Sequence, residues 1–130
     1  PIKSSAASDV YKRQVLQDGI AYHCDLGLKA ISTGTVETNA GRPEMVRLYT
    51  LLESEALSKD HPVHEYFEQR EINLLKEYTF AAKRDGVVDP ERTALQVLSA
   101  MEGLQLRWLN ESHDIDFVGE WKALIGLLIP

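Results

Sequence analysis

The sequence predicts an all-α domain, and three observations carry that prediction. Beyond residue 40 the apolar residues recur at offsets of three and four, the spacing of one helix face. Prolines 43, 62 and 90 stand at the heads of these stretches, where a missing N–H costs nothing. Basic residues followed by a glycine, as in Lys83-Arg84 and Gly86, mark where a stretch ends.

The elements can be justified in order. Between Val15 and Asn39, Gly27 and Gly34 with Ile31, Thr33, Thr35, Val36 and Thr38 lower helix propensity and would permit a strand. These residues leave the choice open. Pro43 then opens a segment with Met45, Leu48, Tyr49, Leu52 and Ala56 on one stripe, and Ser58–His61 forms the connection after it. Pro62 is read as the opening of a longer helix through Phe67, Leu74, Leu75, Tyr78 and Ala82. Asp89-Pro90 reads as an N-cap with proline at the first helical position.

The helix after Asp89 is apolar on more than one face, from Ala94, Leu95, Val97 and Leu98 through Leu104, Leu106 and Leu109. A helix apolar nearly all round is buried on both sides. Ser112-His113-Asp114 breaks it, and a last helix carries Phe117, Val118, Trp121, Leu124, Ile125 and Leu128 along one broad stripe. Two apolar helices joined by a short turn suit a four-helix interface with the same pair from a second subunit. Leu104, Phe117, Trp121, Leu124, Ile125 and Leu128 are the residues expected there. Apolar periodicity is equally compatible with a buried monomeric core.

Composition bounds the function. The 130 residues, 44% hydrophobic and 26% charged, fit one globular domain with a real core. With 14 basic and 20 acidic residues the net charge is −6, a surface that repels phosphate. Setting aside Lys3, Lys12, Arg13 and Asp9 of the opening segment deepens the acidity. No apolar run approaches the roughly 18 residues that span a membrane. The single Cys24 excludes an internal disulfide, and a cytoplasmic location is expected.

Asn39-Ala-Gly-Arg-Pro-Glu-Met-Val-Arg-Leu-Tyr49 leads into Glu53-Ser-Glu-Ala56 and Asp60-His-Pro-Val-His-Glu-Tyr-Phe67. Later come Asp89-Pro-Glu-Arg92 and Met101-Glu-Gly-Leu-Gln-Leu-Arg-Trp108. This succession resembles the C-terminal, effector-binding domain of TetR-family transcriptional regulators. The resemblance extends from Ile20 to Leu128 and is most specific from Asn39 to Trp108. It implies a helical bundle, a helix before Asn39, and a homodimer through the last two helices. It also implies an unknown small-molecule effector bound between central helices. Operator DNA would be read only by a helix-turn-helix preceding this domain, which nothing in the chain resembles. In such regulators, usually repressors, the effector biases the two DNA-reading heads. Ser8-Asp-Val-Tyr-Lys-Arg-Gln14 resembles a translated sequencing-adapter scar, so residues 1–14 are set aside as non-native and 15–130 taken as the domain.

Tyr49, Phe67, Tyr78, Met101 and Trp108 are the large, adaptable side chains expected to line an effector pocket, with Leu52 and Leu74 beside them. Arg70, Glu71 and Gln105 would supply polar contacts. Glu102, a carboxylate within the apolar Leu98–Leu109 run, needs a partner or stays protonated. A structural ion pair or hydrogen bond is the favoured account of it, a cationic or hydroxylated effector the functional one. No pocket motif of the family fixes any of these positions.

His61, His64, Glu65 and Glu68 form the best metal-like grouping, but the Glu-x-x-His and His-Glu-x-x-His patterns are missing. A helix start with acidic residues in its first turn accounts for them. Catalysis finds no support in a phosphate loop or nucleophile elbow, and adjacent His23 and Cys24 diverge on a helix or strand. No enzyme activity, metal or cofactor is expected. Two other classes remain: a small helical enzyme, which needs an iron or haem ligand set, and a pocketless assembly module.

Overall fold

The structure, a computed structural model, describes residues 25–130. The expectations placed on Ser8–Gln14, on Val15 as a start, and on His23 and Cys24 lie outside the described residues. Five helices run in order: α1 (Leu28–Ala40), α2 (Pro43–Glu55), α3 (His64–Arg84), α4 (Pro90–Leu109) and α5 (Phe117–Leu128). The fold is all-helical, with no strand among the described residues.

α1 resolves the segment whose residues permitted either a helix or a strand. Its threonines are absorbed by bonding back along the helix: Thr33 Oγ1 donates to Lys29 O at 2.8 Å and Thr35 Oγ1 to Ile31 O at 3.1 Å. Leu28, Ile31 and Val36 are buried against the other helices, and tertiary packing overrides the weak propensity. Gly27, at the N-cap, has no side chain to offer the orphan N–H groups. Asp85, just past the end of α3, fills that role: Lys29 N donates to its Oδ2 at 2.9 Å. A Cβ on Gly27 would collide with that carboxylate, so the residue type follows from the close approach. Arg84 Nη1 adds a bond to Leu26 O at 3.2 Å, tying the end of α3 to the start of α1.

α3 begins at His64, two residues later than Pro62 suggested. The reason is local: His61 N donates to Ser58 O, and His64 N to His61 O, so Pro62 sits inside consecutive turns. The helix ends as expected, with Lys83 and Arg84 in the last turn and Gly86 at φ 72°. α4 starts on Asp89, whose side chain accepts from Arg92 N. α5 starts on Asp116, whose Oδ1 accepts from Gly119 N at 3.1 Å.

α1, α3, α4 and α5 form the core, with α1 contacting each of the other helices. Trp121, Leu28, Ile125, Val36 and Val97 are its largest fully buried side chains. The α4–α5 turn is held by Trp108 stacked on Phe117, ring centroids 4.7 Å apart. Arg47 of α2 donates to Leu109 O at 3.2 Å and so satisfies a carbonyl at the end of α4. α2 itself leans on α1 and α4 and buries only Val46.

The expected interface residues divide. Phe117, Trp121 and Ile125 lie inside the chain's own core, so they have no surface left for a second subunit. Their spacing of four residues is the core stripe of α5. Leu104, Leu124 and Leu128 are half-buried and pack at the edge of that core. α4 is not buried on both sides within one chain: Leu95 and Leu106 are 53% and 57% exposed, and Leu127 of α5 is 79% exposed.

Candidate functional site

A cavity of about 330 Å³ opens between α2 and the core, walled by α1, α2, α3 and α4. Its depth is apolar and aromatic: Leu74 and Tyr78 come from α3, Leu98 and Met101 from α4, Val46 and Tyr49 from α2. Its polar groups include Thr35 and Asn39 from α1, Glu53 from α2, Arg70 from α3, and Glu102 and Gln105 from α4. Arg42, Met45 and Thr50 complete the α2 side. An apolar body with a few convergent polar groups is the usual composition of a small-molecule site, and the volume is at its small end.

Several of these groups are fixed in place. Asn39 Nδ2 donates to Gln105 Oε1 at 3.0 Å, joining α1 to α4. The Arg70 guanidinium lies over the Tyr49 ring, 5.5 Å from its centroid. Tyr49 is in turn backed edge-on by Phe67 at 6.3 Å. Burial pushes the Tyr78 phenol up to about 12, against smaller lowering effects from Thr35 and Arg70, so it stays neutral and keeps its proton. Its Oη points at Met101 Sδ, 3.9 Å away.

Glu102 is the electrostatic exception. Withdrawal from water is the largest cause of its raised pKa, followed by the carboxylates of Glu53 and Glu71, with Arg70 opposing them. The result is about 7, against an ordinary 4.5. No hydrogen bond or ion pair reaches Glu102 among the described residues. Neither the structural ion pair nor the hydrogen bond favoured for it from sequence is therefore present among the described residues. Glu102 remains open to solvent and shares the cavity lining with Glu53, Arg42 and Arg70.

Of the residues singled out from sequence, Tyr49, Arg70, Leu74, Tyr78, Met101, Glu102 and Gln105 come together around the cavity. Leu52, Phe67, Glu71 and Trp108 do not line it. Phe67 is buried behind Tyr49, and Trp108 is stacked on Phe117. Leu52 is half-buried on α2, and exposed Glu71 acts on Glu102 only through its charge. The sequence did not point to the α1 residues, to Arg42, Met45, Val46, Thr50 and Glu53 on the α2 side, or to Leu98 on α4. A signal existed on α2: Arg42, Val46, Tyr49 and Glu53 share a face at helical spacing. That face is mixed rather than apolar, so a search for apolar stripes passes over it.

The histidine grouping has structural work. His64 Nδ1 is 2.7 Å from Ala56 O, and its Nε2 is 3.5 Å from Glu68 one turn on. His61 Nε2 lies 3.7 Å from Glu55. These contacts tie the end of α2 to the start of α3. No group of three or more potential metal ligands is assembled among the described residues. No helix among them is long and apolar enough to cross a membrane.

Compared with protein-family models, with curated proteins and with solved structures, the chain matches none.

Proposed function

We propose that this chain is the effector-sensing and dimerisation domain of a TetR-like, cytoplasmic transcriptional regulator that acts as a repressor. The observation that carries the reading is the cavity between α2 and the core, lined by Tyr49, Tyr78, Met101 and a small set of placed polar groups. It favours a sensor over a pocketless assembly module. The succession of residues from Asn39 to Trp108 supplies the regulator resemblance. DNA reading belongs to a separate helix-turn-helix head, because the acidic charge of this chain opposes phosphate binding.

An effector changes operator affinity only if it binds one arrangement of the dimer better than the other. α2 is the wall suited to move, since it buries only one of its residues. The second subunit would sit on the outer sides of α4 and α5, where Leu95, Leu106 and Leu127 are exposed beside half-buried Leu104, Leu124 and Leu128. A thermal-shift screen against a chemically diverse panel, with light scattering for mass, tests both halves. Saturable stabilisation by some compounds and a dimer mass are expected. A flat panel would favour an assembly module, and specific operator binding by this chain alone would overturn the division of labour.

A further inference from the structure

We propose that the cavity takes an uncharged single-ring compound bearing a hydrogen-bond acceptor such as a carbonyl, with that acceptor at the Tyr78 hydroxyl. This inference rests on the sensor reading and gives it a ligand class. Val46, Tyr78, Leu98 and Met101 are the buried residues of the lining, and the Tyr78 hydroxyl is the one side-chain oxygen or nitrogen among them. Arg42, Glu53, Arg70 and Glu102 all keep contact with solvent, two of each sign. The inner end of the cavity therefore offers one hydroxyl in apolar surroundings. A volume of about 330 Å³, at the lower end for ligand sites, suits one ring with a compact substituent.

That hydroxyl holds a poor acceptor. Tyr78 is only 3% exposed, and its Oη donates to Met101 Sδ at 3.9 Å, a thioether that accepts weakly. The Thr35 hydroxyl lies beside the phenol, with its own proton directed to Ile31 O at 3.1 Å, but the geometry places the Tyr78 donor on sulfur. Burial keeps the phenol neutral at any ordinary pH, so the group stays a donor. A carbonyl oxygen that displaces the sulfur gains a full hydrogen bond where only a weak one is given up. A carboxylate would accept as well, but an anion entering there sheds its water among Val46, Leu98 and Met101. An uncharged acceptor completes the site without that cost.

The test uses the full chain with three single-ring probes: acetophenone, benzoate, and α-methylstyrene, in which a methylene replaces the ketone oxygen. Binding is read from the methyl NMR signals of Met45 and Met101, which are both methionines of the chain and both line the cavity. Tyr78→Phe removes the hydroxyl and keeps the ring. Because the bond it loses is to sulfur, the variant should melt within a few degrees of the native chain. The informative quantity is the affinity ratio of acetophenone to α-methylstyrene, and comparing it between native chain and variant cancels the probes' different hydration. That ratio should fall roughly threefold to tenfold in Tyr78→Phe, the worth of one neutral hydrogen bond. Benzoate should bind the native chain more weakly than acetophenone. An unchanged ratio, or a preference for benzoate, overturns the inference and leaves the sensor reading standing. Silence from all three probes does the same if other compounds of a diverse panel shift the methionines. If neither the probes nor the panel moves either signal, both readings fall together.

Discussion

Replacing Glu102 by Gln removes a charge that the folded chain disfavours, and the consequence for stability can be worked out. The folded carboxyl has a pKa of about 7 against an ordinary 4.5, so the fold holds the proton more tightly than the unfolded chain does. Its contribution is therefore fully present below about 4.5 and is lost as pH rises through about 7. With 1.36 kcal/mol per pKa unit, the loss at high pH has a ceiling of roughly 3 kcal/mol. The residue is open to solvent at the cavity mouth, and screening there reduces that to about 1–2 kcal/mol. Glutamine keeps the shape and carries no charge. The variant should match the native chain near pH 4 and exceed it by about 1–2 kcal/mol near pH 8, or roughly 5 °C in Tm. Urea unfolding at both pH values measures this. Equal stability at pH 8, or a less stable variant there, would refute the reasoning that burial disfavours the Glu102 charge.

Four further substitutions test the architecture. Asp85→Ala removes the acceptor for Lys29 N at the start of α1 and should cost about 1–2 kcal/mol in urea unfolding. Gly86→Ala places a Cβ at φ 72° with open space around it, so the backbone conformation alone should cost about 1 kcal/mol, read from the same unfolding curves. Trp121→Ala empties the centre of the core and should cost about 3–5 kcal/mol by chemical denaturation. Leu127→Glu changes an exposed side chain: it should leave Tm within a degree or two and, if the proposed dimer forms through this face, reduce the mass in light scattering to that of one chain.

Much of the helical framework was legible because local chemistry and global packing agree. Asp89-Pro90, Lys83-Arg84 and Gly86 act at the helix ends where their chemistry places them. α1 was harder because its decisive partners are distant: Asp85 caps it from another helix, and its threonines are satisfied by back-bonding that propensity scales do not weigh. The same separation explains the interface residues. Phe117, Trp121 and Ile125 are as apolar as an interface requires, but periodicity cannot say whether an apolar face meets its own chain or a second one.

The cavity was partly legible for a related reason. Large side chains on α3 and α4, such as Tyr78 and Met101, stand out because they combine bulk with helical spacing. Trp108 looked equivalent, and only the path of the α4–α5 turn brings Phe117 beneath it. The α2 wall is a mixed face on a loosely packed helix, so neither burial nor apolarity marks it. Glu102 was conspicuous as a carboxylate in an apolar run, but its surroundings depend on three helices meeting. Those surroundings withdraw the carboxyl from water and set Glu53 and Glu71 near it, which raises its pKa.

On the proposed function, the space between α2 and the core holds a small molecule. The most direct measurement is a titration of the methionine methyl signals against a diverse compound panel, since Met45 on the outer wall and Met101 in the depth bracket the cavity. At least one compound should shift both signals saturably with a single dissociation constant, and Tyr78→Ala should weaken that binding. Methionine signals that stay fixed across the whole panel while the chain remains folded would contradict it.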